Sequence, residues 1–248
     1  MGRITGSPAI AIALAAAALF TACGGAGAKT PTPLAGERLS SRGGVKASDS
    51  CVPVANPLAP VLPALVRITT PPDASGAYSS GTGIIIDQGW VLTNQHVIES
   101  ANGALVRTFY LDGHQSPGKV VAADADLDLA LVQADTGALP SATWGDEGHL
   151  ELGATLFAVG YAGGSPAPIT ENGRYVQTTV DRQTGQAFIV SDLQLHHGDS
   201  GGPLLNRCGQ VIGINTARIQ NAIGSDRNAG LSIPGYGARR WATKNRGQ

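Results

Sequence analysis

The chain has 248 residues, 42% hydrophobic and 14% charged, with 17 basic and 18 acidic side chains and a formal net charge of -1. That length holds one large domain or two small ones. The charged fraction is low against about 25% in average globular chains, but the chain is not apolar enough for a polytopic membrane protein. No block of like charge stands out, which argues against a nucleic-acid binder that works through a basic face. The 34 Gly and 15 Pro follow no collagen-like period and are separated by strand-like runs, so disorder throughout is excluded.

Arg3 and Pro8 precede an unbroken apolar stretch from Ala9 to Phe20. It is too short for a bilayer-spanning helix and suits the apolar region of a secretory leader. It runs into Leu19-Phe20-Thr21-Ala22-Cys23-Gly24. A small residue before Cys resembles the bacterial lipobox, in which the Cys is lipidated and becomes the mature N-terminus; Phe20 stands where that motif usually has Leu. Ala26-Gly27-Ala28 offers an ordinary small-x-small cleavage site instead, and an uncleaved anchor is the third possibility. The expectation is a leader over 1–22, lipidation at Cys23 and anchoring of an exported chain to a membrane of the bacterial cell envelope. A secreted soluble protein is the alternative. Residues 23–50 have no hydrophobic period and are rich in Gly, Pro, Ser and Ala, which predicts a flexible tether.

The folded domain is expected over 51–248. With Cys23 lipidated, Cys51 and Cys208 remain. In an oxidising compartment a disulfide between them is expected, two unpaired thiols being the alternative. Short strands then follow one another: Leu65–Ile68, Gly83–Ile86, Trp90–Thr93, Leu105–Leu111, Lys119–Val121 and Leu129–Val132. Asp112-Gly113 is a strong hairpin signal. Pro140 to Gly153 is polar and turn-rich, a link between halves. The second set is Thr155–Val159, Arg174–Val180, Ala187–Val190, Pro203–Leu205, Val211–Ile214 and Gly230–Ile233, and Tyr236 to Asn245 reads as a short helix. About six strands per half predict an all-β fold of two antiparallel barrels, at about 60–140 and about 150–235.

Three segments carry chemistry. In His197-Gly198-Asp199-Ser200-Gly201-Gly202-Pro203 a tight glycine-rich loop can aim the N–H groups of Gly198 and Ser200 at one oxyanion. Gly201 and Gly202 are expected to clear room for a substrate backbone. In Trp90-Val91-Leu92-Thr93-Asn94-Gln95-His96 a strand delivers a His just past its end, where a general base belongs. In Asp124-Ala125-Asp126-Leu127-Asp128-Leu129 one of three acids should orient His96. Asp128, next to the strand, is the choice, with Asp124 and Asp126 capping or solvating the turn. His114 and His149 read as solvated or linking residues. No Cys or His spacing fits a metal, so no metal or cofactor is assigned.

With Thr-Asn-Gln-His-Val, Asp-Leu-Ala-Leu, Gly-Asp-Ser-Gly-Gly-Pro-Leu and Gly-Ile-Asn-Thr in place, the chain resembles the chymotrypsin-fold serine proteases, nearest the bacterial HtrA/Deg-type branch. The resemblance covers about residues 60–235. It implies two six-stranded barrels, an active site in the cleft between them, and hydrolysis of polypeptide substrates through His96, Asp128 and Ser200. The order His, Asp, Ser separates it from the α/β-hydrolases, whose Ser sits in Gly-x-Ser-x-Gly. Val97 follows the His where animal relatives usually have Cys. Ala162 replaces a usual Pro, and no PDZ domain and no zymogen-type activation are expected. Pocket walls are expected from Leu193-Gln194-Leu195, Asn215-Thr216-Ala217 and Gly230-Leu231-Ser232. Gln194, Leu195, Asn215, Thr216, Leu231 and Ser232 are the contact residues, and a small or medium apolar substrate residue is preferred because no acid stands at the floor. The rival readings are an inactive peptide-binding module on the same fold, and an esterase.

Overall fold

The computed structural model describes residues 51–101, 103, 105–219 and 228–247. The expected leader, Cys23 and the whole of the expected tether lie outside them. Twelve strands close into two antiparallel barrels. The first comprises β1 (Leu65–Thr69), β2 (Ser80–Asp87), β3 (Trp90–Thr93), β4 (Val106–Tyr110), β5 (Gln115–Asp124) and β6 (Leu129–Ala134), in the closed order β1-β2-β3-β6-β5-β4. The second comprises β7 (Thr155–Gly160), β8 (Ile169–Val180), β9 (Ala187–Ser191), β10 (Pro203–Leu205), β11 (Val211–Ile219) and β12 (Ala229–Pro234), in the order β10-β11-β12-β9-β8-β7. One helical turn, α1 (Gln95–Ile98), follows β3, and α2 (Gly235–Asn245) follows β12.

Alternation explains the strands. In β4, Val106, Thr108 and Tyr110 are buried while Arg107 is exposed, the two-residue period of a sheet with one wet face. Val66, Ile68, Ile84, Leu92 and Leu131 fill the first barrel; Leu156, Ile189, Leu204 and Ile212 help fill the second. Each such fully buried side chain contributes about 1.5–3 kcal/mol relative to exposure. Gly118 lies against Val132, where an added Cβ would come within 2.6 Å of its methyl. A small residue there lets neighbouring strands close the barrel.

Three strands start earlier than the hydrophobic pattern predicts. β2 begins at Ser80, β5 at Gln115 and β8 at Ile169. Their first residues, such as Ser-Gly-Thr and Gln-Ser-Pro-Gly, are polar or turn-forming and carry no apolar alternation. They are strands because neighbours pair with them, as Thr69 does with Ser80 and Arg107 with Pro117.

The barrels are bonded to each other. Ala142 N–H donates to Ile85 O (2.8 Å), and Val211 N–H to Thr143 O (2.8 Å). Gln186 Nε2 donates to Leu127 O (2.9 Å). On α2, Ala238 and Ala242 lie one turn apart and are fully buried. Near its end Arg246 pairs with Asp87 of β2 (2.5 Å). A disulfide joins Cys51 to Cys208, with Cα atoms 6.1 Å apart, and ties the start of the described chain to the β10–β11 turn.

Candidate active site

β3 ends in buried Thr93 and Asn94, and buried Val97 and Ile98 anchor α1 below His96. His96 Nδ1 lies 2.9 Å from Asp128 Oδ2 and 3.0 Å from Oδ1, and the His96 backbone N–H donates to Oδ1 (3.1 Å). Of the three acids in the turn, Asp128 is the one that meets the imidazole. Asp124 Oδ1 accepts from the N–H groups of Asp126 and Leu127, and Asp126 is exposed.

Asp128 stands at φ 51, the single non-glycine residue with positive φ among those described. That region costs most residues energy and is tolerated best by Asn, Asp and Gly. Asn94 Nδ2 donates to the Asp128 carbonyl oxygen (2.7 Å) and fixes this backbone. Asn94 is fully buried, and its Oδ1 meets no partner among the described residues.

Ser200 lies across from this pair. Its Oγ donates to the carbonyl oxygen of Thr216 (3.3 Å). The Thr216 hydroxyl in turn donates to Asp128 Oδ2. Thr216, expected as a pocket wall, thus joins the serine and the carboxylate through its two oxygens. Neither charge nor spacing marks it in the sequence; its position directly after the buried run Val211-Ile212-Gly213-Ile214-Asn215 is the signal that was there to read.

Backbone bonds shape the serine loop. Asp199 N–H donates to His196 O (3.0 Å) and Gly202 N–H to Asp199 O (2.9 Å). His197 O accepts from Gly163 N–H (2.6 Å). The peptide is trans, so the Gly198 N–H points away from Gly163. Among the described residues neither the Gly198 nor the Ser200 N–H meets an acceptor. Gly198 adopts φ 102, and a Cβ there would sit 2.2 Å from Tyr161 O; no other residue fits.

Thr82, which the sequence reading passed over, carries the loop on the first barrel. Its N–H donates to Ser200 O (2.9 Å), and its hydroxyl donates to Gly198 O (2.6 Å) and accepts from Tyr161 N–H (2.9 Å). A Cβ on Gly201 would meet Thr82 O at 2.1 Å, and one on Gly202 would meet Val159 O at 2.3 Å. This corrects the expected reason for those glycines: the chain's own backbone, not a substrate, occupies the space. Asp199 is 3% exposed, and its Oδ2 accepts from His196 N–H (2.8 Å). Burial pushes its carboxyl above the ordinary value, partly offset by that N–H.

The expected pocket residues divide. Asn215 and Ser232 have no accessible surface; Ser232 Oγ donates to Asn215 Oδ1 (2.9 Å), and Asn215 Nδ2 donates to Pro203 O (3.0 Å). Their expected contact with a ligand is therefore corrected: both hold β11 to its neighbours. Leu195 and Leu231 keep 5% and 2% of their surface, and Leu195 packs in the core with Leu156 and Leu204. Gln194 is exposed and accepts at Oε1 from Asn228 (3.1 Å). His114 is partly exposed, with Nε2 3.2 Å from Asp135 O and its ring 5.3 Å from that of Tyr110. Among the described residues no group of three or more His, Cys, Asp or Glu is placed to hold a metal ion.

Known proteins resemble this chain in sequence and fold. The chain is 37% identical over 166 residues to a probable periplasmic serine endoprotease DegP-like of Chlamydia trachomatis, covering 64% of this chain and 32% of that one. It is 37% identical over 175 residues to the putative serine protease HhoA of Synechocystis sp., covering 66% and 42%. The chain thus spans about a third of the length of the curated relatives matched first. Among solved structures it is similar to the HtrA-type protease AlgW with decapeptide, with a TM-score of 0.67, 26% identity, and 77% of this chain and 66% of that one covered. The serine endoprotease from Yersinia pestis gives 0.64 and 25%, with 76% and 64% covered. The sequence model of the trypsin-like peptidase domain matches residues 81–214, from the Gly-Thr-Gly of β2 through the serine loop into β11. With β3 through β10 and the segments of His96, Asp128 and Ser200 inside that match, which spans more than half of the sequence, the chain belongs to the family of trypsin-like peptidase domains.

Proposed function

We propose that this protein is a serine endopeptidase in which Ser200 is the nucleophile, His96 the general base and acid, and Asp128 the group that orients His96. The observation that carries this reading is the hydrogen-bonded chain His96–Asp128–Thr216–Ser200, beside two backbone N–H groups without acceptors. A carboxylate that accepts from Nδ1–H leaves the Nε2 lone pair available. Ser200 Oγ, which donates to Thr216 O in the free protein, turns to Nε2 when substrate enters; such bonds tighten in the substrate complex.

Oγ then attacks the scissile carbonyl carbon as its proton passes to Nε2. The Gly198 and Ser200 N–H groups hold the oxyanion, each donor contributing about 10²–10³-fold in rate. Collapse breaks the C–N bond, and His96 returns the proton to the leaving amine. Water attacks the acyl ester, gives its proton to His96, and Ser200 departs reprotonated. The substrates are polypeptides. The named activities of the relatives support this reading.

A fluorophosphonate reagent tests it. Covalent labelling is expected on the peptide that contains Ser200 and nowhere else. An unlabelled Ser200 in folded protein would leave the peptide-binding alternative in its place.

The same reading places the domain over 51–248, carried by a tether (23–50) behind a leader (1–22) and anchored in the cell envelope through a lipid on Cys23. Two signals or more are needed for stable anchoring, and a multiply acylated N-terminal Cys supplies them. Intact-mass measurement of mature protein is expected to show Cys23 as the first residue with added acyl mass. A lipid-free N-terminus at Lys29 would refute the anchor and leave a secreted enzyme.

A further inference from the structure

The outer face of the first barrel carries a groove that the proposed reaction does not use. Directly opposed residues of paired strands share a face of the sheet. Thr82 on β2 opposes Arg67 on β1, Arg67 opposes Phe109 on β4, and Phe109 opposes Gln115 on β5. The next row along is Ser80, Thr69, Arg107 and Pro117. Both rows start at the strand end whose Thr82 is bonded to Ser200 O and Gly198 O. They lead away from the second barrel.

Above these rows lies a groove of about 670 Å³, lined by Arg67, Arg107, Phe109, Tyr78, Leu105 and Pro117 among others, and none of its lining residues is a carboxylate. The loop that walls it is braced from within. Thr70 N–H donates to Ser79 O (3.0 Å), Ser79 N–H donates to Thr70 Oγ1 (2.9 Å), and Ser100 Oγ lies 3.0 Å from both hydroxyls. Arg67 stacks over the Phe109 ring, 4.5 Å from its centroid. Stacking fixes the plane of a guanidinium and leaves its N–H edge available for a carboxylate. Tyr78 and Leu105, 64% and 55% exposed, offer apolar surface beside the two cations.

We infer that this groove receives an acidic, extended segment of the polypeptide substrate on the leaving-group side of the scissile bond. The inference rests on the peptidase reading for its direction. If the acyl side lies against the second barrel, around Thr216 and Gln194, a chain crossing Ser200 and Thr82 continues onto the first barrel. Adjacent strands lie about 5 Å apart and an extended chain advances about 3.3 Å per residue. Arg67 and Arg107 therefore come within reach of the second to fourth residues after the cleaved bond. Two cations that meet no carboxylate among the described residues, with an aromatic wall, suit Asp or Glu interspersed with apolar residues and repel a basic segment.

Fluorescein-labelled decapeptide pools test this, randomised on the acyl side and carrying either Asp/Glu or Asn/Gln at the second to fourth leaving-side positions. Their binding to the Ser200→Ala protein is measured by fluorescence anisotropy. The acidic pool is expected to bind about 10-fold more tightly at low ionic strength, with the ratio shrinking as salt is raised. In Arg67→Gln/Arg107→Gln the ratio should fall to about 1. Arg107 is exposed, so Arg107→Glu, which disturbs no packing, should lower the ratio severalfold by itself. Equal binding of the two pools, or a preference that survives both variants, would overturn the inference. The measurement needs no bond cleavage. An acidic preference without fluorophosphonate labelling would sink the peptidase reading alone, and labelling without the preference would sink the groove alone.

Discussion

Ser200→Ala is expected to lower kcat on a peptide substrate by about 10⁶-fold while the protein stays folded. The size of the loss follows from what the side chain does and does not support. Its Oγ makes one intramolecular hydrogen bond, to Thr216 O at 3.3 Å. The loop around it is held by main-chain bonds that alanine keeps: Thr82 N–H to Ser200 O (2.9 Å), Gly201 N–H to Asn215 O (2.8 Å) and Gly202 N–H to Asp199 O (2.9 Å). Losing one half-buried hydroxyl bond costs about 1 kcal/mol of stability, well within the margin of a folded domain. The residual rate comes from the oxyanion donors and substrate binding, which together retain about 10³–10⁴-fold over water. The check is single-turnover peptide cleavage by the purified variant, alongside its melting temperature. A variant that melts near the parent and still cleaves within about 100-fold of its rate would falsify the role given to Ser200.

Much of this architecture was legible in the chain because a half-buried strand writes its period into the sequence. Trp90–Thr93 and Pro203–Leu205 have the same bounds in the pattern and in the structure. The hairpin at Asp112-Gly113 closes through Gly113 N–H to Tyr110 O (3.1 Å). The glycine-rich serine loop was legible for another reason: only glycine can sit at φ 102 against Tyr161 O. What stayed hidden depends on contacts between distant residues. Thr82 looks like one more polar residue between two glycines, yet it holds Ser200 and Gly198, which lie 118 and 116 positions away in the chain. The polar openings of β2, β5 and β8 carry no apolar rhythm, since pairing and not burial makes them strands. Pocket walls were harder still. A sequence names the segments that meet, but it does not say that Asn215 and Ser232 turn toward each other and leave no surface for a ligand.

The choice among three acids in one turn is the sharpest test of the chemistry. Every contact of the Asp128 carboxylate comes from a donor: the His96 backbone N–H and Nδ1, and the Thr216 hydroxyl. Asn at this position has one acceptor oxygen and one NH₂ group, so it cannot accept from all of them. If its NH₂ faces Nδ1, the imidazole proton moves to Nε2, and His96 then offers Ser200 a donor where the reaction needs a base. The backbone should be undisturbed, because Asn tolerates positive φ as Asp does and the Asn94 Nδ2 bond to the residue 128 carbonyl does not involve the side chain. Asp128→Asn is therefore expected to lower kcat by about 10⁴-fold near neutral pH. Asp126→Asn, on an exposed side chain two residues away, is expected to stay within about twofold, as surface substitutions away from special features usually do. Steady-state cleavage of one peptide by both variants decides the matter. A collapse in Asp126→Asn together with near-parental rates in Asp128→Asn would show that the imidazole takes its orientation from the other acid.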